Sequence, residues 1–278
     1  MSKLFNSQQS FKSHPIETRP TLSLLQMTII LALIFASLII AYLPSALTLH
    51  EKWFMSGAGY SHGYLLLAIC VYLIYDNEKR YRLAANGPNL IFALPLTGMS
   101  LTWMLLDLAN IQSIQQLLMP FIFITACALV LGFRFALTLS PVIGFILFGM
   151  PVWNYLIPLL QAISVSAVGI GLDLINLPAY IEGINVTIPD GQFQIAGGCS
   201  GLSYLLVGLT LGTLYGFLSY QNLWKRFALI AITILLSLFS NWVRIISIIY
   251  AGHHSQMQSS LVADHGDFGW LVFAFTLV

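Results

Sequence analysis

Ala196-Gly197-Gly198-Cys199-Ser200-Gly201-Leu202 is a run of mostly small residues that separates a short polar segment from a long apolar one. Two further polar groups follow it along the chain. Asn241-Trp242-Val243-Arg244 lies towards the far end of the next apolar segment, and Asp264-His265-Gly266-Asp267 lies in the loop after that. A thiol, a guanidinium and an imidazole therefore lie near the ends of successive apolar segments.

The composition indicates a membrane protein. Of the 278 residues, 58% are hydrophobic and only 8% are charged, whereas a soluble domain carries about 25% charged residues. Apolar runs of roughly 20 residues recur along the chain, which is the length that a helix needs to cross a bilayer. We therefore predict an all-α polytopic protein surrounded by the lipid bilayer. The net charge of +1 gives no sign of a nucleic-acid partner.

The positions of the basic residues predict the orientation of the chain. Of the 11 lysines and arginines, all but Lys52 and Arg244 fall at predicted cytoplasmic positions, as the positive-inside rule requires. Residues 1–20 are predicted to be a cytoplasmic tail, and residues 21–278 a single membrane domain. We expect about eight transmembrane helices, of which the last is cut short at Val278.

The segment 153–177 allows two interpretations. A full crossing would place Lys225 and Arg226 outside and reverse every later segment. An interfacial or re-entrant helix on the outer side keeps both charges inside, and we favour this second interpretation.

A short β-hairpin is predicted before the Cys199 segment. Apolar and polar residues alternate on both sides of Pro189-Asp190-Gly191, a turn sequence. The alternating apolar positions are Ile184, Val186, Ile188, Phe193 and Ile195. The edges of a hairpin would be unsatisfied in lipid, so we expect it in the outer aqueous phase, leaning on the helices.

Cys199 is predicted to start the sixth transmembrane helix at its outer end. The partial positive charge of a helix N-terminus favours a thiolate, and its free N–H groups can hold an oxyanion. Gly198 and its neighbouring glycines would let a substrate backbone approach closely. On residue type alone, an inert cysteine at a helix start of small residues is the better explanation.

Arg244 strengthens the functional interpretation, because a charge within a membrane helix is costly and is retained mainly for function. The polar residues of this helix recur at helical spacing, which predicts one polar face that does not contact lipid. These residues are Ser237, Ser240, Asn241, Arg244 and Ser247.

His265 is flanked by Asp264 and Asp267, either of which could orient its ring. An imidazole here could act as the base for Cys199 and then protonate the leaving group. His253 and His254 are competing candidates, and their spacing does not choose between them.

Several motifs together resemble the exosortase family over nearly the whole chain. They are Tyr60-Ser61-His62-Gly63, the run from Ala196 to Leu202, Asn241-x-x-Arg244, and His265 followed by Gly269-Trp270. The resemblance implies a membrane cysteine transpeptidase with sortase-like chemistry. It implies Cys199 as the nucleophile, His265 as the acid and base, and Arg244 as the stabiliser of the oxyanion. His62, Asn241, Ser200 and Gly198 are the residues we expect to support the site or bind substrate.

The resemblance also implies the substrate and the location. Exosortase substrates are exported proteins with a C-terminal sorting signal, which consists of a Pro-Glu-Pro motif, a membrane helix and a basic tail. The family is linked to bacteria that make extracellular polysaccharide. We therefore expect a multi-pass protein of the bacterial inner membrane, with its site on the periplasmic side and an acceptor nucleophile still to be identified. No cofactor and no metal are expected.

Two other classes of function are weaker. A transporter or channel for exopolysaccharide export would use Asn241 and Arg244 to line a path, but the second and fourth apolar segments carry almost no polar residues. A metallohydrolase would need its histidines at ligand spacing, and His62, His253, His254 and His265 form no such pair with a glutamate.

Overall fold

A computed structural model describes residues 22–55, 59–263 and 266–277. Within these ranges the chain is almost entirely helical. Its α-helices are α1 (Leu24–Ala41), α2 (Leu43–Phe54), α3 (Gly63–Asp76), α4 (Glu78–Ala84), α5 (Ala93–Leu108), α6 (Gln112–Leu131), α7 (Phe133–Ile143), α8 (Ile157–Leu174), α9 (Leu202–Ser219), α10 (Leu223–His254), α11 (Ser260–Ala263) and α12 (Gly266–Leu277). Its strands are β1 (Tyr180–Glu182), β2 (Asn185–Ile188) and β3 (Gly191–Gln194).

The fold confirms the polytopic all-α class. In the described part of the chain, 6 helical segments are long and apolar enough to cross a membrane: Leu24–Ala41, Leu90–Leu108, Gln112–Leu131, Pro151–Leu174, Leu202–Ser219 and Leu223–His254. Shorter apolar segments lie at Gly63–Asp76 and Phe133–Gly149. Helix α2 has Pro44 in its first turn, where the fixed φ of proline is already helical.

Helices α9 and α10 form an antiparallel pair that is held together by close backbone approach. Gly208 and Gly212 face α10 at a spacing of four residues. A Cβ atom at Gly208 would lie 2.3 Å from Ser237 Oγ, and one at Gly212 would lie 2.7 Å from Thr233 Oγ1. Small residues at this spacing allow membrane helices to pack closely, because lipid provides little hydrophobic drive for their association.

Helix α10 is longer than a bilayer requires. Its 32 residues span about 48 Å, compared with a hydrocarbon core of about 30 Å. Its N-terminal part packs on α9 as far as Asn241, which contacts Gly201 just before α9 begins. The remainder of α10 therefore extends past the start of α9.

Helix α8 packs beside this extension and runs parallel to it. Asn241 Nδ2 donates to Ser164 Oγ across 3.3 Å. Further along both helices, a Cβ at Gly171 of α8 would lie 2.3 Å from Cδ1 of Ile246 in α10. Both helices therefore run in the same direction, so α8 extends away from the end of the bundle that carries Lys225. The interfacial placement of the segment 153–177 stays a prediction, and Pro151–Leu174 is long and apolar enough to cross a membrane.

The predicted hairpin is present but is part of a larger sheet. β2 and β3 pair antiparallel around the turn at Pro189, with Val186 opposite Phe193. β1 also pairs with β2, giving a three-stranded antiparallel sheet of order β1-β2-β3. The first strand was missed because Tyr180–Glu182 is too short to show an alternating pattern. The sheet's buried side packs on α8 and α10 through Val168, Leu172, Val186, Ile188, Ile245 and Ile249.

Replacing Gly212 should loosen the α9–α10 pair. We expect Gly212→Leu to destabilise the protein by about 1–3 kcal/mol, because the new side chain overpacks against Thr233. The measurement is the thermal unfolding midpoint of the detergent-purified protein. Gly98→Leu is the matched control, since a Cβ at Gly98 of α5 meets no atom within 4 Å. An equal fall in the midpoint for both variants would contradict close packing at Gly212.

Candidate active site

Cys199 ends a short 3-10 turn, Gly197–Cys199, that precedes α9. The predicted helix start at Cys199 is therefore early by three residues, since α9 begins at Leu202. The delay has a local cause: Gly201 adopts a left-handed conformation with φ of +87°, which interrupts the helix. The Leu202 N–H donates to Ser200 Oγ across 3.3 Å and so closes the turn. Cys199 thus lies just before the N-terminus of α9 and outside its first turn.

Exposure distinguishes the three thiols. Cys199 is partly exposed, whereas Cys70 in α3 and Cys127 in α6 are buried. A nucleophile must reach its substrate, so Cys199 is the cysteine that the fold makes available for chemistry.

Asn241 fixes the backbone that carries this thiol. Its Nδ2 donates to the Cys199 carbonyl oxygen across 2.9 Å as well as to Ser164 Oγ. Ser164 Oγ in turn lies 3.4 Å from the Ser200 carbonyl oxygen, to which it donates. Side chains from α8 and α10 therefore hold the two consecutive carbonyl groups of Cys199 and Ser200. Asn241 was among the predicted supporting residues, but no sequence pattern pointed to Ser164.

Arg244 lies one turn beyond Asn241 on the same face of α10 and is 9% exposed. Its guanidinium carbon lies 5.7 Å from the centre of the Tyr204 ring in α9. A Cβ at Gly269 of α12 would lie 2.6 Å from Arg244 Nε. Among the described residues, Nε has no hydrogen-bond partner. A buried donor without a partner is costly, so the position suits an oxygen atom brought by a bound molecule.

His265, the predicted acid and base, lies outside the described residues, as does Asp264. Helix α12 begins immediately after them, at Gly266. The role of His265 therefore stays a prediction.

The competing histidines lie at the far end of α10. His253 follows Asn241 by twelve residues, which corresponds to about 18 Å along a helix. Its Nδ1 pairs with Asp190 Oδ2 in the turn between β2 and β3, while the His254 ring packs edge-on against Tyr250. The His253–Asp190 pair ties the sheet to α10, and the length of helix between them separates both histidines from Asn241, which bonds the Cys199 carbonyl.

His62 immediately precedes α3, without a capping hydrogen bond from its side chain, on a loop that packs against the start of α9. A Cβ at Gly59 would lie 2.9 Å from Ser203 Oγ, and the Tyr60 hydroxyl donates to Asn154 Oδ1 across 2.8 Å. Burial lowers the pKa of His62, while the Phe148 carbonyl partly opposes this effect. The imidazole is therefore favoured in its neutral form. Its Nε2 is buried without a partner in the part of the chain that the structure describes.

Ser200 and Gly198 differ in their surroundings. Ser200 is fully buried, and its hydroxyl is engaged in the turn before α9, which is a structural contact. Gly198 is exposed, and a Cβ added there would meet no atom within 4 Å. Open space therefore lies next to Cys199 at Gly198.

The family model of the transmembrane exosortases matches residues 53–278 of this chain. The match extends from the end of α2 through α12 and includes Cys199, Asn241 and Arg244. A search of the curated proteins and a search of the solved structures found no match.

Two neighbouring glycines should respond differently to a methyl group. We expect Gly201→Ala to lower both stability and activity, because the left-handed φ is strained for alanine and the new Cβ would lie 3.0 Å from Asn241. Gly198→Ala should leave the unfolding midpoint unchanged. If substrate passes close to Gly198, this variant should nevertheless raise KM.

The measurements are thermal unfolding in detergent and the kinetics of substrate processing for both variants. A fall in the unfolding midpoint for Gly198→Ala equal to that for Gly201→Ala would contradict the open space at Gly198. An unchanged KM would contradict the approach of substrate there.

Proposed function

Because the chain belongs to the transmembrane exosortase family of membrane cysteine peptidases and transpeptidases, we propose that Cys199 is its nucleophile in an acyl transfer. The observation that carries the proposal is the partly exposed Cys199, whose carbonyl is held by Asn241 one helical turn from the buried Arg244. This places a thiol and a buried cation at one end of the α9–α10 pair.

The proposed reaction has two steps. The Cys199 thiolate attacks the carbonyl carbon of the scissile peptide bond. The C–N bond then breaks, a thioester forms, and His265 gives the leaving amine its proton. In the second step an acceptor nucleophile or water attacks the thioester, and His265 takes a proton from it. The thiolate leaves, so the enzyme returns to its starting state.

Arg244 stabilises the oxyanion that forms in each step. Its charge is worth most where water is excluded, and its burial between Tyr204 and Gly269 meets that condition. Asn241 keeps the Cys199 backbone in a fixed place relative to the guanidinium. This arrangement is in position before substrate binds, and such preorganisation lowers the barrier of the chemical step.

The proposed substrates are exported proteins with a C-terminal sorting signal, made of a Pro-Glu-Pro motif, a membrane helix and a basic tail. The proposed location is the bacterial inner membrane, with Cys199 on the periplasmic side. This orientation follows from the basic residues near the opposite end of α9 and α10, Lys225 and Arg226. The acceptor nucleophile is left open.

A transporter or channel of exopolysaccharide export has less support. Its path would run along the polar face of α10. Ser237 and Thr233 on that face pack against Gly208 and Gly212 at contact distance, which leaves no room for a solute between α9 and α10.

The proposed roles predict distinct losses of activity. Cys199→Ala should abolish processing, and Cys199→Ser should be nearly inactive because a hydroxyl is a far weaker nucleophile under the same base. Arg244→Ala should raise the barrier by on the order of 2–4 kcal/mol. Arg244→Lys should also be slow, because it keeps the charge but loses the planar set of donors. His265→Ala should slow release of the leaving amine.

The measurement is processing of a substrate bearing the Pro-Glu-Pro tail, with the membrane level of each variant checked by immunoblot. Cys127→Ala is the control thiol and should process normally. Normal processing by Cys199→Ala at normal abundance would refute the proposed function. Normal processing by His265→Ala would leave the enzyme in place and reassign the base.

The proposed orientation predicts which thiol is accessible from outside the cell membrane. A membrane-impermeant thiol reagent applied to intact spheroplasts should label Cys199 and spare the buried Cys70 and Cys127. The label is located by mass spectrometry, and Cys199→Ala supplies the control. Labelling of Cys199 only after the membrane is permeabilised would place the site on the cytoplasmic side.

A further inference from the structure

Tyr204, Trp270 and Phe273 form an aromatic cluster that joins α9 to α12. The Tyr204 ring stacks on Phe273 with the ring centres 4.8 Å apart and an interplanar angle of 17°. Trp270 packs edge-on against both rings, at 5.7 Å from Tyr204 and 5.8 Å from Phe273. Tyr204 and Phe273 are buried. Tyr204 is therefore held from the side of α12.

The same tyrosine borders the guanidinium of Arg244. The guanidinium carbon lies 5.7 Å from the Tyr204 ring centre, within the range of a cation–π contact. A Cβ at Gly269 would lie 2.2 Å from the Tyr204 hydroxyl and 2.6 Å from Arg244 Nε. Only a residue without a side chain fits beside these two groups. Helix α12 therefore contacts both Tyr204 and Arg244 closely at Gly269.

An arginine side chain is flexible, and about 2 kcal/mol of rotamer entropy is lost when it is fixed completely. Asn241 holds the nucleophile segment, but within the described residues no hydrogen bond fixes Arg244 Nε. The aromatic ring is therefore the described group best placed to orient the guanidinium. A ring can do so without occupying the N–H donors that substrate needs, because its π face attracts the cation as a whole.

We propose that Tyr204 is a positioning residue for the reaction. Its ring, backed by Phe273 and Trp270, holds the Arg244 guanidinium in the orientation that stabilises the oxyanion. This inference rests on the proposed function, because it takes Arg244 to act in the chemical step. In this proposal the ring carries most of the effect, and the hydroxyl group, which also lies beside Arg244, contributes less.

A tyrosine that served only to pack α9 against α12 would affect stability whatever residue stood at position 244. The test is therefore a double-mutant cycle on the detergent-purified full chain, with a peptide bearing the Pro-Glu-Pro tail as substrate. Both kcat and KM are measured for Tyr204→Phe and Tyr204→Leu, each alone and combined with Arg244→Lys. Tyr215→Leu is the control, since Tyr215 lies on the same helix and is exposed.

Tyr204→Phe keeps the ring and should retain kcat within about threefold, whereas Tyr204→Leu should lower kcat about tenfold with KM little changed. Combined with Arg244→Lys, the change to leucine should add less than about twofold, because the group it positions is already lost. Tyr215→Leu should match the parent protein.

Equal losses from Tyr204→Leu in both backgrounds would overturn the proposal, and so would a tenfold loss in Tyr204→Phe. If Tyr204→Leu does not accumulate in the membrane, Gly269→Ala replaces it in the cycle with Gly98→Ala as control. Its new methyl group should displace the guanidinium, so it should lower kcat in the parent but not in the Arg244→Lys background. Equal losses in both backgrounds would again overturn the proposal.

Processing by Cys199→Ala tests the proposed function independently of the inference about Tyr204. Normal processing by Cys199→Ala would reject the proposed function and the inference with it. Loss of processing by Cys199→Ala, together with normal kcat in Tyr204→Leu, would reject the inference alone.

Discussion

The hydrogen bond from Asn241 Nδ2 to the Cys199 carbonyl is the contact on which the rest of the site depends. It joins α10 to the segment before α9, and through Ser164 the same amide also reaches α8. Gly201 makes the contact possible, because a Cβ there would press on the Asn241 side chain. One amide group therefore fixes three elements around Cys199. A buried amide that bonds this many partners specifies one arrangement, since any shift leaves polar groups unsatisfied.

This contact is possible only because α9 and α10 pack at a defined register. Gly208 and Gly212 accept the side chains of Ser237 and Thr233 at contact distance. If α9 shifted by one residue along α10, a larger α9 residue would face Ser237 and Thr233 and would separate the two helices. The same register brings Asn241 to the start of α9 and turns Arg244 towards Tyr204. The glycines thus set the geometry of the site from a distance of several turns.

Much of this structure could be predicted from the sequence, because lipid imposes a strong rule on composition and length. Apolar runs and the scarcity of Lys and Arg predicted the helices, and the polar face of α10 is buried as expected at Asn241 and Arg244. The remainder depends on contacts between distant segments. No local pattern in Tyr180–Glu182 reveals a third strand, and nothing in the sequence pairs Ser164 with Asn241. Tyr204 looks like an ordinary apolar-face aromatic until α12 is placed beside it.

The polar seam of α10 carries a stability cost. In the residues that the structure describes, Ser237 Oγ, Ser240 Oγ, Asn241 Oδ1 and Arg244 Nε are all buried without hydrogen-bond partners. Each such group destabilises the fold by about 1–3 kcal/mol unless something satisfies it. The serines can rotate towards backbone carbonyls of the preceding turn. Arg244 Nε is a donor that cannot rotate towards such a carbonyl. Asn241 Oδ1 is an acceptor that cannot rotate either, because the nitrogen of the same amide already donates hydrogen bonds. Arg244 Nε and Asn241 Oδ1 therefore need partners from outside this seam, and in the proposed function a bound peptide would supply a carbonyl oxygen and an N–H.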